Sequence, residues 1–116
     1  MKQDDLTQYY INLDLIQKTA AQIAKDFNLV NEKIIFSGNA ENAYNELLSQ
    51  IEPVVSALIH KDYFRLINLL YRIDVSEKQA IIAMRGKNNA VVRAIARLII
   101  KRELQKVVTK SFFSGK

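Results

Sequence analysis

Residues 62–77 read DYFRLINLLYRIDVSE. On a helix at about 100° per residue, Lys61, Arg65, Asn68 and Arg72 share one stripe about 60° wide. Every other position from Tyr63 to Ile73 is apolar or aromatic. A helix apolar on nearly all sides is ordinarily enclosed by other elements. The stretch is therefore expected to form the central helix of an all-α domain, capped by Asp62.

On its N-terminal side, Ala40, Tyr44, Leu47, Ile51, Val54 and Leu58 recur at alternating intervals of four and three. This seam runs through Pro53, where a helix loses a backbone hydrogen bond at a cost of about 3 kcal/mol. The apolar register is the same on both sides of the proline, which predicts one kinked helix capped by Asn39 rather than two helices. Further upstream, Leu6, Tyr9, Leu13, Ile16, Ala20, Ile23 and Phe27 make a heptad seam. It predicts a long helix from about Asp5 to Phe27 with Asp4 or Asp5 as its cap. Between the two, Ile34, Ile35 and Phe36 are the only strand-like run. Three residues cannot form a sheet alone, so the segment is expected to be a loop plugging one end of the bundle.

On the C-terminal side, Ser76 and Gln79 make a capping box for a short helix over Glu77–Met84, which Gly86 terminates. Asn88 or Asn89 caps a last helix from Ala90 to about Lys110. The expected architecture is a single-domain all-α bundle over residues 1–116. It has about five helices, three long and two short, with the apolar helix at its centre and residues 111–116 as a flexible tail. A chain of 116 residues with 49% hydrophobic residues can bury a real core as one domain. One Pro and three Gly leave little of the turn chemistry that an all-β fold requires.

Cysteine is absent, which excludes a disulfide framework and a thiolate metal site. Met1 and Lys2 are followed by acidic and polar residues rather than an apolar leader. The richest apolar run, Ala90–Ile100, carries Arg93 and Arg97 and is too short to span a bilayer. These features predict a cytoplasmic protein with no membrane partner. Charge is unevenly spread. Residues 85–116 hold Arg85, Lys87, Arg93, Arg97, Lys101, Arg102, Lys106, Lys110 and Lys116 against Glu103 alone, whereas the preceding residues are mildly acidic. Such asymmetry points to an anionic partner or to attraction between two parts of one fold.

The last helix contains a switch of face. Up to Lys101 its apolar side is Val91, Val92, Ile95, Leu98 and Ile99, with Arg93, Arg97 and Lys101 opposite. Beyond it, Arg102, Lys106 and Lys110 take the formerly apolar side, while Leu104, Val107 and Val108 take the other. Three outcomes stay open: the helix breaks near Lys101, its end projects towards a second subunit, or its last turns fold back on the bundle. In the second case Leu104, Val107, Val108, Phe112 and Phe113 form an interface.

No catalytic constellation stands out, and neither a cofactor nor a metal is implied. His60 is the only histidine, which leaves no ligand pair for a metal. The sequence has no phosphate loop or nucleophile motif. Nucleic-acid binding has more behind it. The short helix, the turn at residues 85–89 and the basic last helix have the outline of a helix-turn-helix, and Arg93, Arg97 and Lys101 make an i, i+4, i+8 ladder suited to phosphates. Against it, bulky Ile82 stands where close helix crossing favours a small residue. Arg65, Asn68 and Arg72 on the central helix are expected either to form a structural polar seam, Arg72 pairing with Asp74 or Glu77, or to line a polar groove.

The segments LLYRIDVSE at 69–77 and IKRELQKV at 100–107 resemble those of small bacterial helical proteins of unknown function. The resemblance implies a compact helical protein and brings no activity with it. The expected function is a helical protein-interaction module that associates with itself or another protein, not an enzyme. Nucleic-acid binding through the last helix is the alternative.

Overall fold

The computed structural model describes Tyr9 and residues 12–114, with side chains as far as Phe112. Five helices follow one another: α1 (Leu13–Phe27), α2 (Ala43–Lys61), α3 (Tyr63–Ile73), α4 (Glu77–Met84) and α5 (Asn89–Ser114). They form a single helical bundle, and no strand occurs among the described residues. Ile16, Ala20, Ile23 and Phe27 of α1 are buried, as are Leu47, Ile51 and Val54 of α2. Both seams thus face one core.

α1 starts later than its seam predicts. Asn12 is extended (φ −85°, ψ 107°), and its side chain accepts a hydrogen bond from the Leu15 N–H, so the helix begins at Leu13. A short Asx side chain satisfies the free first-turn donors and fixes the start. Asp4, Asp5 and Leu6 lie outside the described residues. α2 runs unbroken through Pro53, whose ring lies on the exposed side of the helix.

In the connecting loop Ile34 is buried as the expected plug, while Ile35 is exposed. The Gln50 side chain holds Ile35 in place of a strand partner. The Ile35 N–H donates to Gln50 Oε1 at 2.9 Å, and Gln50 Nε2 donates to the Ile35 carbonyl at 2.6 Å. Gly38 sits at φ 99°, where a side chain would be strained.

The centre of the bundle is α5, not α3. Ile95, Ala96, Ile99, Ile100, Glu103 and Leu104 are fully enclosed. α3 is instead amphipathic: Leu66, Leu69, Leu70 and Ile73 face the core, while Phe64 is 74% and Tyr71 88% exposed. Eleven residues are too short to be surrounded by neighbours, whereas the 26 residues of α5 span about 39 Å. That is nearly the full 42 Å length of the molecule.

The switch of face in α5 is also resolved. The helix neither breaks at Lys101 nor projects; it continues to Ser114, so the expected tail is helical up to that residue. Its buried positions run 95, 96, 99, 100, 103, 104 and 108. Each step of four residues advances about 40° round the helix, so the buried stripe turns by about 120° along its length. Near its start α5 meets α2, with Arg93 Nε 3.5 Å from Glu52; near its end it meets α1, with Lys106 Nζ 3.8 Å from Asp26. The stripe rotates because the neighbour changes.

α3 ends at Asp74, which adopts the left-handed conformation (φ 71°) with its N–H on the carbonyls of Leu70 and Tyr71. Arg102 of α5 clamps this corner, its Nε donating to the Asp74 carbonyl at 2.9 Å and its Nη2 to Oδ2 at 3.0 Å. A β-branched residue is disfavoured at positive φ. Asp74→Val is therefore expected to cost about 1–3 kcal/mol. Asp74→Gly, which relaxes the backbone but loses the exposed carboxylate, should change stability by less than about 1 kcal/mol. Urea titration of the two variants checks this order.

Candidate functional site

An exposed apolar surface is built by α3 and α4. Asp62 caps α3 by accepting from the Arg65 N–H at 3.1 Å, and Ser76 caps α4 by accepting from the Gln79 N–H at 3.3 Å. Because the Asp74 turn brings α4 back alongside α3, a cleft of about 510 Å³ opens between them. Its walls include Tyr63, Ile67, Tyr71, Ile81 and Met84, with Asp74, Val75 and Ser76 at the corner. At the opposite end the Tyr63 hydroxyl donates to Met84 Sδ at 3.6 Å. Phe64, Ile67 and Tyr71 recur at i, i+3 and i+7 on the outer side of α3 and are all exposed. Ile81 and Ile82 of α4 continue the surface. Contiguous exposed apolar area of this kind marks interaction surfaces in proteins. Its volume and mixture of aromatic and aliphatic walls suit several apolar side chains.

No protein-family model, curated protein or solved structure matches the chain. The chemistry of the surface therefore rests on its own residues. Among the described residues no group of His, Cys, Asp and Glu is arranged to hold a metal ion, and no helix is long and apolar enough to cross a membrane.

The expected interface on the last helix lies elsewhere than on a free surface. Leu104 and Val108 are buried in the chain's own core and Val107 is half-buried, because the rotating stripe turns them towards the bundle. Folding back is thus the outcome that holds. Phe112 is exposed, its ring edge-on to Tyr9 at 6.4 Å; the Phe113 side chain lies outside the described residues. The basic ladder is interrupted as well. Arg93 reaches Glu52, Arg97 is exposed, and Lys101 is half-buried. Ile82, suspected of obstructing a helix-turn-helix crossing, points outward at 54% exposure, and Ala80 and Ala83 face the core instead.

Arg65, Asn68 and Arg72 are not among the residues that line the α3–α4 cleft. All three are on the exposed side of α3. Arg65 pairs with its own cap Asp62 at 3.4 Å, and Arg72 Nε lies 3.4 Å from Asp26 of α1 rather than near Asp74 or Glu77. The charge asymmetry of the chain resolves into contacts within the fold, since Arg93, Arg102 and Lys106 of α5 reach Glu52, Asp74 and Asp26.

Asp26 and Glu103 form a buried carboxyl pair, 2% and 0% exposed. Neither Glu103 oxygen accepts a well-aligned hydrogen bond, although Lys106 Nζ lies 2.9 Å from Oε1. Burial, then the adjacent Asp26, push the Glu103 carboxyl up to about 8. Burial opposes ionisation of Asp26 too, but hydrogen bonds from Glu103 and Gln22 and the nearby Lys106 and Arg72 hold it below its ordinary value. Below about pH 8 the pair thus holds one proton, with Glu103 the more basic partner. The pair is enclosed and offers no face to a ligand. Its signal in the sequence is Glu103 lying inside an apolar stripe between Ile99, Ile100 and Leu104, with Lys106 one turn further along as its neighbour of opposite sign.

Proposed function

We propose that this protein is a cytoplasmic helical protein-interaction module whose docking surface is the α3–α4 face. The observation that carries the reading is that Ile67, Tyr71 and Ile81, all exposed, line the cleft, with exposed Phe64 on the same side of α3. Residues of this type are the anchors of protein interfaces, where aromatic side chains supply most of the contact energy. α3 and α4 are fixed by their caps, by the Asp74 turn and by the Arg102 clamp, so the surface is preformed and loses little entropy on binding. The lack of cysteine suits a reducing compartment.

The test is photo-crosslinking in cells, with benzoylphenylalanine at position 71 and, as control, at exposed position 17 on α1. The expected result is a discrete protein adduct from position 71 only, lost when Ile81→Glu is added. No adduct at position 71, or the same adducts from both positions, overturns the reading.

A further inference from the structure

We propose that the open backbone edge of residues 33–36 is a second docking site, which takes an acidic segment of another protein in extended conformation. It is separate from the α3–α4 face and does not depend on it. The chain between α1 and α2 is extended here. Ile34 is buried, Ile35 exposed, Phe36 half-buried and Ser37 exposed, which is the alternation of a strand. α2 occupies one edge of it. Besides the two Gln50 bonds to Ile35, Glu46 accepts from the Ser37 N–H and from the Ser37 hydroxyl, both at 2.9 Å. Glu46 and Gln50 stand about 6 Å apart along their helix, close to the roughly 6.6 Å between alternate residues of an extended chain. Two side chains thus stand in for a neighbouring strand along that edge.

The opposite edge has no such neighbour. In an extended chain the N–H and C=O groups of Ile34 and Phe36 point away from those of Ile35. Among the described residues they make no hydrogen bond. A shallow depression of about 430 Å³ lies between this segment and the end of α1, lined by Ala24, Lys25, Asn28, Lys33, Ile34 and Ile35 and by no residue of α2. An open strand edge recruits another strand, whose main chain supplies donors and acceptors in the same alternation. A helix does not, because its backbone groups bond within it. Nucleic-acid phosphates only accept, which leaves the Ile34 carbonyl unanswered. The charge of the lining then selects the sign of the partner. Its two charged residues are Lys25 and Lys33; both are exposed, and neither has an acidic partner among the described residues. Glu32 and Glu46 lie outside the lining, Glu46 on the far edge with Ser37. Acidic side chains on the incoming strand complement the two lysines. A second copy of this chain would instead set them against the same two lysines across a two-fold axis.

The experiment uses the full chain and three labelled peptides about eight residues long. Valine alternates with glutamate in the first and with lysine in its twin. The third is the glutamate peptide with every amide nitrogen methylated, which removes its donors and keeps its side chains. Fluorescence anisotropy is expected to show the glutamate peptide binding about tenfold or more tightly than the lysine twin, with the preference falling as salt rises. The methylated peptide should not bind. Lys25→Glu combined with Lys33→Glu should invert the preference, and these positions are exposed, so an unchanged helical circular dichroism spectrum verifies that the variant folds. The glutamate peptide should also slow hydrogen exchange at the Ile34 and Phe36 amides. Equal binding of the twins, undiminished binding of the methylated peptide, a preference unmoved by the double variant, exchange at Ile34 and Phe36 unaltered by peptide, or a dimer in sedimentation that Ile35→Glu dissociates each overturns the proposal. Ile81→Glu, on the α3–α4 face, should leave the affinity of the glutamate peptide unchanged. If it abolishes binding, the peptide lies in the cleft, the strand-edge assignment fails and the α3–α4 reading stands.

Discussion

Glu103→Gln is expected to raise the melting temperature above pH 8 and to leave it nearly unchanged at pH 5. In the folded chain the Glu103 carboxyl is pushed up to about 8 by burial and by the neighbouring Asp26. In the unfolded chain it ionises with an ordinary value of 4.5. Between these limits the folded state holds a proton that the unfolded state has released. Folding takes up a proton there, so stability declines as pH rises from about 4.5 to 8 and levels off beyond. The decline amounts to a few kcal/mol over that interval, or roughly 10 °C in a domain of this size. Asp26 acts with the opposite sign. Its value is lowered on folding, so its contribution is present above 3.8 and is lost as pH falls. Maximal stability is therefore expected near pH 4–5. Glutamine imitates the protonated acid and donates to Asp26 at every pH, so the Glu103→Gln curve should lack the decline. Thermal melts of both proteins from pH 5 to 9 decide the matter, and parallel curves would refute the shared proton. Asp26→Leu is a different change. It removes the acceptor, leaves Arg72 without its partner and leaves Lys106 with Glu103 alone, and the loss of one member of a buried pair is costly.

The second large effect separates the true centre of the fold from its apparent one. Ile99→Ala should lower stability by about 2–5 kcal/mol, because the side chain is fully buried in α5 where a cavity cannot collapse. Phe64→Ala, at a larger side chain, should change it by less than about 0.5 kcal/mol, since the ring is mostly in solvent. Urea midpoints measured on both variants distinguish the two arrangements. If the order were reversed, α3 rather than α5 would hold the bundle together. Binding should respond in the opposite way, Phe64→Ala weakening adduct formation at position 71 and Ile99→Ala acting only through stability.

Local signals accounted for most of the architecture. The heptad seams of α1 and α2 identify the faces that are buried, since spacing of three and four follows from the pitch of one helix. Asp62 and Ser76 cap α3 and α4 because a side-chain oxygen reaches N–H groups only three residues away. The unbroken register across Pro53 indicates one helix, and α2 is one helix. Resolution was lost where a residue's environment depends on another segment. The apolar surface of residues 63–73 could be core or docking face, and periodicity within one helix does not separate the two. The same limit applies to the switch in α5, which reads as a conflict along a single flank and becomes a rotating stripe once α2 and α1 lie on different sides of it.

Helix number, helix type, the inward faces of α1 and α2 and the basic character of the last helix thus follow from the order of residues along the chain. Their causes are short-range: helical pitch, capping within one turn, and the charge each residue carries. Which helix lies at the centre, where the Asp26–Glu103 proton resides and which apolar face stays open depend on contacts between distant segments. Arg72 and Asp26 are 46 residues apart, and Arg102 and Asp74 are 28. No periodicity within a helix encodes such a pairing. It arises when five amphipathic helices bury as much apolar surface as their lengths permit, and the α3–α4 face is the part of that surface left in water.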